Sequence, residues 1–226
     1  EGADIYRASR SQAGAFDEPT IAIGATTANS YWVPSVSRDG LAIYYNRAAA
    51  GAPGAIDVYG SFRSTTAEAF GDGKPIDLGA TSDVLEADPF ITDEGMFFQR
   101  GSRIYFAAGD GELFSAGELV AGIAPDTGFD LQPIASADRE TLYWARDEGG
   151  QGGRDIWMAE RDPLGAVGQY RSPEPVPSLP ISEADGLNST AFEAPSWESA
   201  DQCSLYFTTN RRGPVEIWVA RRKPRP

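Results

Sequence analysis

The stretch Pro34-Ser-Val-Ser-Arg-Asp39-Gly-Leu-Ala-Ile-Tyr44-Tyr45-Asn-Arg47 decides the fold, because its plan returns along the chain. A proline is followed by an aspartate, then an aromatic pair, then an arginine. The further copies are Pro89, Asp93, Phe97-Phe98 and Arg100; Pro133, Asp138, Tyr143-Trp144 and Arg146; and Pro195, Asp201, Tyr206-Phe207 and Arg211. Downstream of each arginine a second element recurs, Asp57-Val-Tyr, Arg103-Ile-Tyr, Asp155-Ile-Trp and Glu216-Ile-Trp, and Asp4-Ile-Tyr opens the chain with an extra copy. Repeats of this length mean stacked supersecondary units that bury their faces against neighbours. Short strand-rich units of this size predict an all-β fold, a β-propeller of four-stranded antiparallel blades.

Within one unit the pattern reads as four strands. Trp32 to Ser37 is the first, Leu41 to Arg47 the second with apolar alternation, Asp57 to Phe62 the third, and Lys74 to Leu78 the fourth. Asp39-Gly40 is a hairpin-turn signal between the first two, and Asp93-Glu94-Gly95, Asp138-Arg139 and Asp201-Gln202 stand at the same place. The expected organisation is a single propeller domain over 1–226: a partial blade over 1–30, blades at about 31–86, 87–130, 131–191 and 192–222, and a basic tail at 223–226. The chain opens on a third-strand element and finishes on another, so two counts follow. Five blades with the first incomplete is the expected count; the alternative is a closed ring of four.

Composition agrees and narrows the function. A chain of 226 residues with 41% hydrophobic content can bury a sizeable core, and 25 Gly and 16 Pro supply the tight turns that short strands need. A formal charge of −14 argues against nucleic acid, whose phosphates require a clustered cationic surface. There is no histidine, which removes the commonest general base and metal ligand, and Cys203 stands alone, so neither an intrachain disulfide nor a thiol-rich metal site is expected. No apolar run reaches the roughly 18 residues of a membrane span. No cofactor is expected.

The segments Pro34 to Arg47 and Asp155-Ile-Trp-Met-Ala-Glu-Arg161 resemble the WD40-like (PD40) repeat of TolB-type β-propellers, whose pattern is P-x-x-S-x-D-G, L-Y-F, D-I-Y. The resemblance covers essentially the whole chain and is specific for fold, not for function. It implies a bacterial exported protein, periplasmic, outer-membrane-associated or extracellular. Two departures stand out: Arg103 replaces the acid of the other third strands, and Cys203 falls in the last turn region.

The arginine after strand two and the acid opening strand three face each other across a hairpin, so Arg47 with Asp57, Arg146 with Asp155 and Arg211 with Glu216 are expected as structural ion pairs. With that pair partly exposed, Arg146→Ala is expected to cost on the order of 1 kcal/mol. The turn aspartates lack the dense spacing of a calcium loop and read as caps of their own turns, so no metal site is expected. The glycine-rich run Asp147 to Arg154 joins two strands and reads as a hairpin loop, since a phosphate loop must lead into a helix. Residues beside each first-strand proline, Trp32, Asp88, Gln132 and Glu193, are expected near one mouth of a central channel, where propellers present ligand surfaces.

An aromatic, acids and an amide suit a protein, peptide or saccharide, which makes a noncatalytic, monomeric binding or scaffold module the expected function. The alternatives are a glycoside-acting propeller using carboxylates such as Asp88 and Glu193 as acid and base, and a propeller domain separated from a serine peptidase.

Overall fold

Three of the four repeats begin with a hairpin whose turn is wired in the same way; in the remaining one, the Thr92 hydroxyl donates to the Gly95 carbonyl and Asp93 pairs with Arg38 instead of capping its turn. In the computed structural model the Ser37 hydroxyl donates to Asp39 Oδ1 at 2.6 Å and the Leu41 N–H donates to the same oxygen at 2.9 Å, while the Ala42 N–H donates to Ser37 Oγ. Ser136 and Asp138 repeat the arrangement with the N–H groups of Glu140 and Thr141, and Ser199 and Asp201 repeat it with those of Cys203 and Ser204. The residue after the aspartate takes φ of 73° at Gly40, 64° at Arg139 and 55° at Gln202. Gly40 adopts this at no steric cost; the other two depend on the aspartate network.

These bonds hold the Asp39 and Asp201 carboxyls below the usual range, the serine hydroxyl being the main cause in each. At Asp138 burial pushes upward, and the bonds from Ser136, Gln202 and Glu140 outweigh it. A lowered folded value means the stabilisation is fully present above the unfolded value of 3.8 and is lost as pH falls through the folded one. Asp138→Ala is therefore expected to cost about 1 kcal/mol near neutrality. Urea titrations at a series of pH values should show that gap closing below 3.8.

The structure describes residues 3–10, 14–24, 29–49, 56–80, 84–124, 127–150, 152–176 and 186–221. The predicted basic tail lies outside them. Among the described residues all regular elements are strands: β1 (Ile5–Arg7), β2 (Thr20–Ile23), β3 (Asn29–Val36), β4 (Ala42–Ala49), β5 (Ile56–Phe62), β6 (Lys74–Pro75), β7 (Glu86–Ile91), β8 (Gly95–Arg100), β9 (Arg103–Asp110), β10 (Leu113–Phe114), β11 (Glu118–Leu119), β12 (Asp130–Ala135), β13 (Thr141–Arg146), β14 (Asp155–Arg161), β15 (Tyr170–Pro175), β16 (Glu193–Glu198), β17 (Ser204–Thr209) and β18 (Glu216–Arg221).

The sheets run β3-β4-β5-β6, β7-β8-β9-β10 with β11 also on β9, β12-β13-β14-β15 and β16-β17-β18. Each of these four carries one copy of the repeat, matching the four-bladed alternative. The β1-β2 pair is a separate small sheet, bonded to β3 by the Tyr31 N–H donating to the Ala3 carbonyl. No helix among the described residues is long and apolar enough to cross a membrane.

The aromatic pair explains why the second strand is the core of each sheet. Neighbours along a strand point to opposite faces, so Tyr44 and Tyr45, Phe97 and Phe98, and Tyr143 and Trp144 bury both faces at once. The chain divides into two compact units, Glu1–Met96 with Ala107–Gly117, and Phe97–Phe106 with Glu118–Pro226. In the first, Ile5 packs with Ile43 and Tyr45 beneath Tyr31, Tyr59 and Phe70. In the second, the Phe97 ring meets Phe106 at 4.8 Å and Tyr170 at 5.9 Å.

Candidate functional site

The recurring arginine sits between two aromatic rings. Arg100 lies over Phe98 and Tyr105, Arg146 over Trp144 at 5.2 Å and Trp157 at 4.4 Å, and Arg211 over Phe207 and Trp218. Arg47 stacks on Tyr59 at 4.4 Å. The ring of each D-I-Y or D-I-W element is thus the third-strand wall of an arginine slot, a use of cation–π attraction that the pairwise reading of the sequence passed over.

The acid that meets the arginine comes from the first strand, which corrects the predicted pairs. Arg146 Nε and Nη2 donate to the two oxygens of Asp130 at 2.7 and 3.1 Å, and Trp144 Nε1 donates to the first of them. Arg211 Nη2 donates to Glu193 Oε1 at 3.0 Å. Asp155 lies opposite Arg146, and Asp57 opposite Arg47, as register neighbours across the hairpin. Glu216 instead accepts from Trp218 Nε1, and Arg47 Nε donates to Asn29 Oδ1 at 2.8 Å. A β-ladder brings the first strand as close to the second as the third is, and the planar guanidinium turns to the side where a carboxylate fits edge-on.

Side chains of Asp130 and Arg146 are 0% and 6% exposed, so the pair is enclosed, not the partly exposed contact expected. Burial pushes the Asp130 carboxyl up, against the pull of Arg146, Trp144 and Arg103. Such a pair is costly to enclose and costlier to break.

The predicted ligand residues occupy different places in the repeat. Register sets Trp32 opposite Asn46, Leu131 opposite Ala145 and Ala194 opposite Thr208, so the counterparts of Trp32 are Leu131 and Ala194. Glu193, opposite Thr209, is the counterpart of Asp130, opposite Arg146. Asp88 and Gln132 fall at a third position, shared with Val33, where φ is 54°, 49° and 51°. The cause is a β-bulge. It lies between Trp32 and Ser35 and between Leu131 and Ile134, but between Pro195 and Trp197 in the last sheet, so counting back from the proline slips by one residue there. A one-residue slip in a strand changes the face. At Pro34 and Pro133 the bulge also accommodates the proline, because the ladder is interrupted where the N–H is missing.

In the first unit, Trp32 is half-buried on β3, and Asp88 is held by Asn46 of β4: Asn46 Nδ2 donates to Asp88 Oδ1 at 2.9 Å, and the Asp88 N–H donates to Asn46 Oδ1 at 2.7 Å. In the second unit, Gln132 is half-buried at its bulge and Glu193 is fully enclosed. Glu193 accepts from the Ser189 N–H and hydroxyl, the Thr209 hydroxyl and Arg211. Among the described residues no group of three or more acidic or cysteine side chains is arranged to hold a metal ion.

No family model matches the chain, and no curated protein matches it. Among solved structures, a protein identified as TolB from Agrobacterium tumefaciens is 17% identical, with a TM-score of 0.50 over 90% of this chain and 62% of that one. TolB from Acinetobacter baumannii is 14% identical over 85% of this chain and 43% of that one, with a TM-score of 0.46. An oligogalacturonate lyase in complex with manganese is 12% identical over 90% and 68%, with a TM-score of 0.49. The chain therefore spans 62% of the Agrobacterium protein's length and 43% of the Acinetobacter protein's. At such identity the likeness is one of fold. With the repeated four-stranded sheets it shows a β-propeller fold similar to that of the Agrobacterium protein.

Proposed function

We propose that this chain is a noncatalytic binding or scaffold module of an exported, envelope-associated bacterial protein, taking a protein, peptide or saccharide ligand. The observation that carries the reading is how the two carboxylates that hydrolysis would need are engaged. Glu193 is 0% exposed and receives bonds from Ser189, Thr209 and Arg211, and Asp88 is bonded reciprocally to Asn46. A general acid or base must exchange a proton with substrate at hydrogen-bond distance. A carboxylate enclosed by its own donors braces a strand instead.

Trp32 is the anchor of the proposed surface, half-buried beside the strained bulge at Val33. Bulges re-aim side chains, and left-handed non-glycine residues persist where the surroundings enforce them. Trp32→Ala is expected to weaken ligand binding by about 1–3 kcal/mol while the fold is retained. Calorimetric titration with a panel of peptides and oligosaccharides tests this. Equal affinity of wild type and Trp32→Ala for every ligand bound would remove Trp32 from the site.

A further inference from the structure

A cavity of about 620 Å³ opens in the first unit at the hairpin ends, away from Trp32. Its walls are the β3-β4 turn, the end of β5, the β7-β8 turn and the β9-β10 turn. The size is that of a small-ligand pocket. Leu41, Phe62 and Ile91 give it half-buried apolar surface. Below them Tyr44 is fixed by its hydroxyl donating to the Gly111 carbonyl at 2.7 Å, with its ring edge-on to Phe62 and Phe114.

The charges around this surface are unevenly matched. Arg38 is taken by Asp93 at 3.1 Å. Arg63 is turned onto the carbonyls of Gly40, Thr66 and Glu68 and over the Phe70 ring. Asp39 and Asp110 also line the cavity, and among the described residues neither forms an ion pair. The Ser37 hydroxyl and the Leu41 N–H hold the Asp39 carboxyl below its ordinary value. The Tyr44 hydroxyl is pushed up by burial and then by Asp110, Asp39 and Glu112, of which Glu112 is paired with Lys74.

We propose that this cavity binds a basic peptide segment, the apolar stem of a lysine side chain lying on Leu41, Phe62 and Ile91 and its ammonium between Asp39 and Asp110. Long cationic side chains bury their methylenes and keep the charged head at a polar rim. An apolar floor beneath two unmatched carboxylates is the complement of that shape. The site is separate from the surface proposed around Trp32.

Fluorescein-labelled tetralysine is the probe, titrated into the whole chain and read by fluorescence anisotropy. Asp39 also caps its turn, so Asp110→Asn carries the test, Asp110 being exposed. Saturable binding is expected, with Kd raised roughly threefold to fivefold by Asp110→Asn. Nε-acetylated tetralysine should fail to bind, and Trp32→Ala should leave Kd unchanged. Three results would each overturn the proposal. They are no binding of tetralysine, indifference to Asp110→Asn, and equal weakening by Glu174→Gln, an exposed carboxylate of the other unit, which would mark general attraction to an acidic protein.

Discussion

Arg146→Ala is expected to lower the unfolding free energy by about 3–5 kcal/mol, several times the cost expected of an exposed hairpin pair. The difference comes from where the partner sits. Asp130 is 0% exposed, and without the guanidinium its charge keeps only the indole N–H of Trp144 from the bonds described above. The substitution also empties the slot between Trp144 and Trp157 and releases the Ile123 carbonyl. Urea denaturation followed by tryptophan fluorescence measures the loss. A value under about 1 kcal/mol would return the pair to the exposed class.

Glu193→Ala is expected to cost a similar amount, about 3–5 kcal/mol, because Arg211 would be left 9% exposed without its acid. Its remaining donors still reach the Gly186 and Leu187 carbonyls at 2.7 Å, but carbonyl dipoles do not neutralise a charge. Glu193→Gln should cost less, since the amide oxygen still accepts from Thr209. The same denaturation experiment ranks the three proteins. A fully stable Glu193→Ala protein would contradict the bracing role.

The fold was legible because its signals are local and repeated. Asp39-Gly40 and its counterparts mark the turns, and the aromatic pairs mark strands buried on both faces. The candidate site was less legible. Asp130 and Glu193 are brace acids, yet they stand at different distances from their prolines, because one bulge spans Pro133 and the other follows Pro195. Nothing in the residue types fixes where a bulge falls. The arginine's choice of the first-strand acid is also a matter of ladder geometry, although the sequence carries a signal: Glu86, Asp130 and Glu193 each open the first strand of a sheet, and β3 opens instead on Asn29, which accepts from Arg47. The cavity between hairpin ends left no motif, since its residues come from four separate turns and strand ends.

The most direct test of the binding reading is a single NMR titration in which peptides and oligosaccharides are incubated with the protein and both partners are observed. Saturable shifts at the Trp32 indole N–H are expected, with the ligand chemically intact after prolonged incubation. Cleavage of a ligand, abolished in an Asp88→Asn protein that keeps its fold, would contradict it.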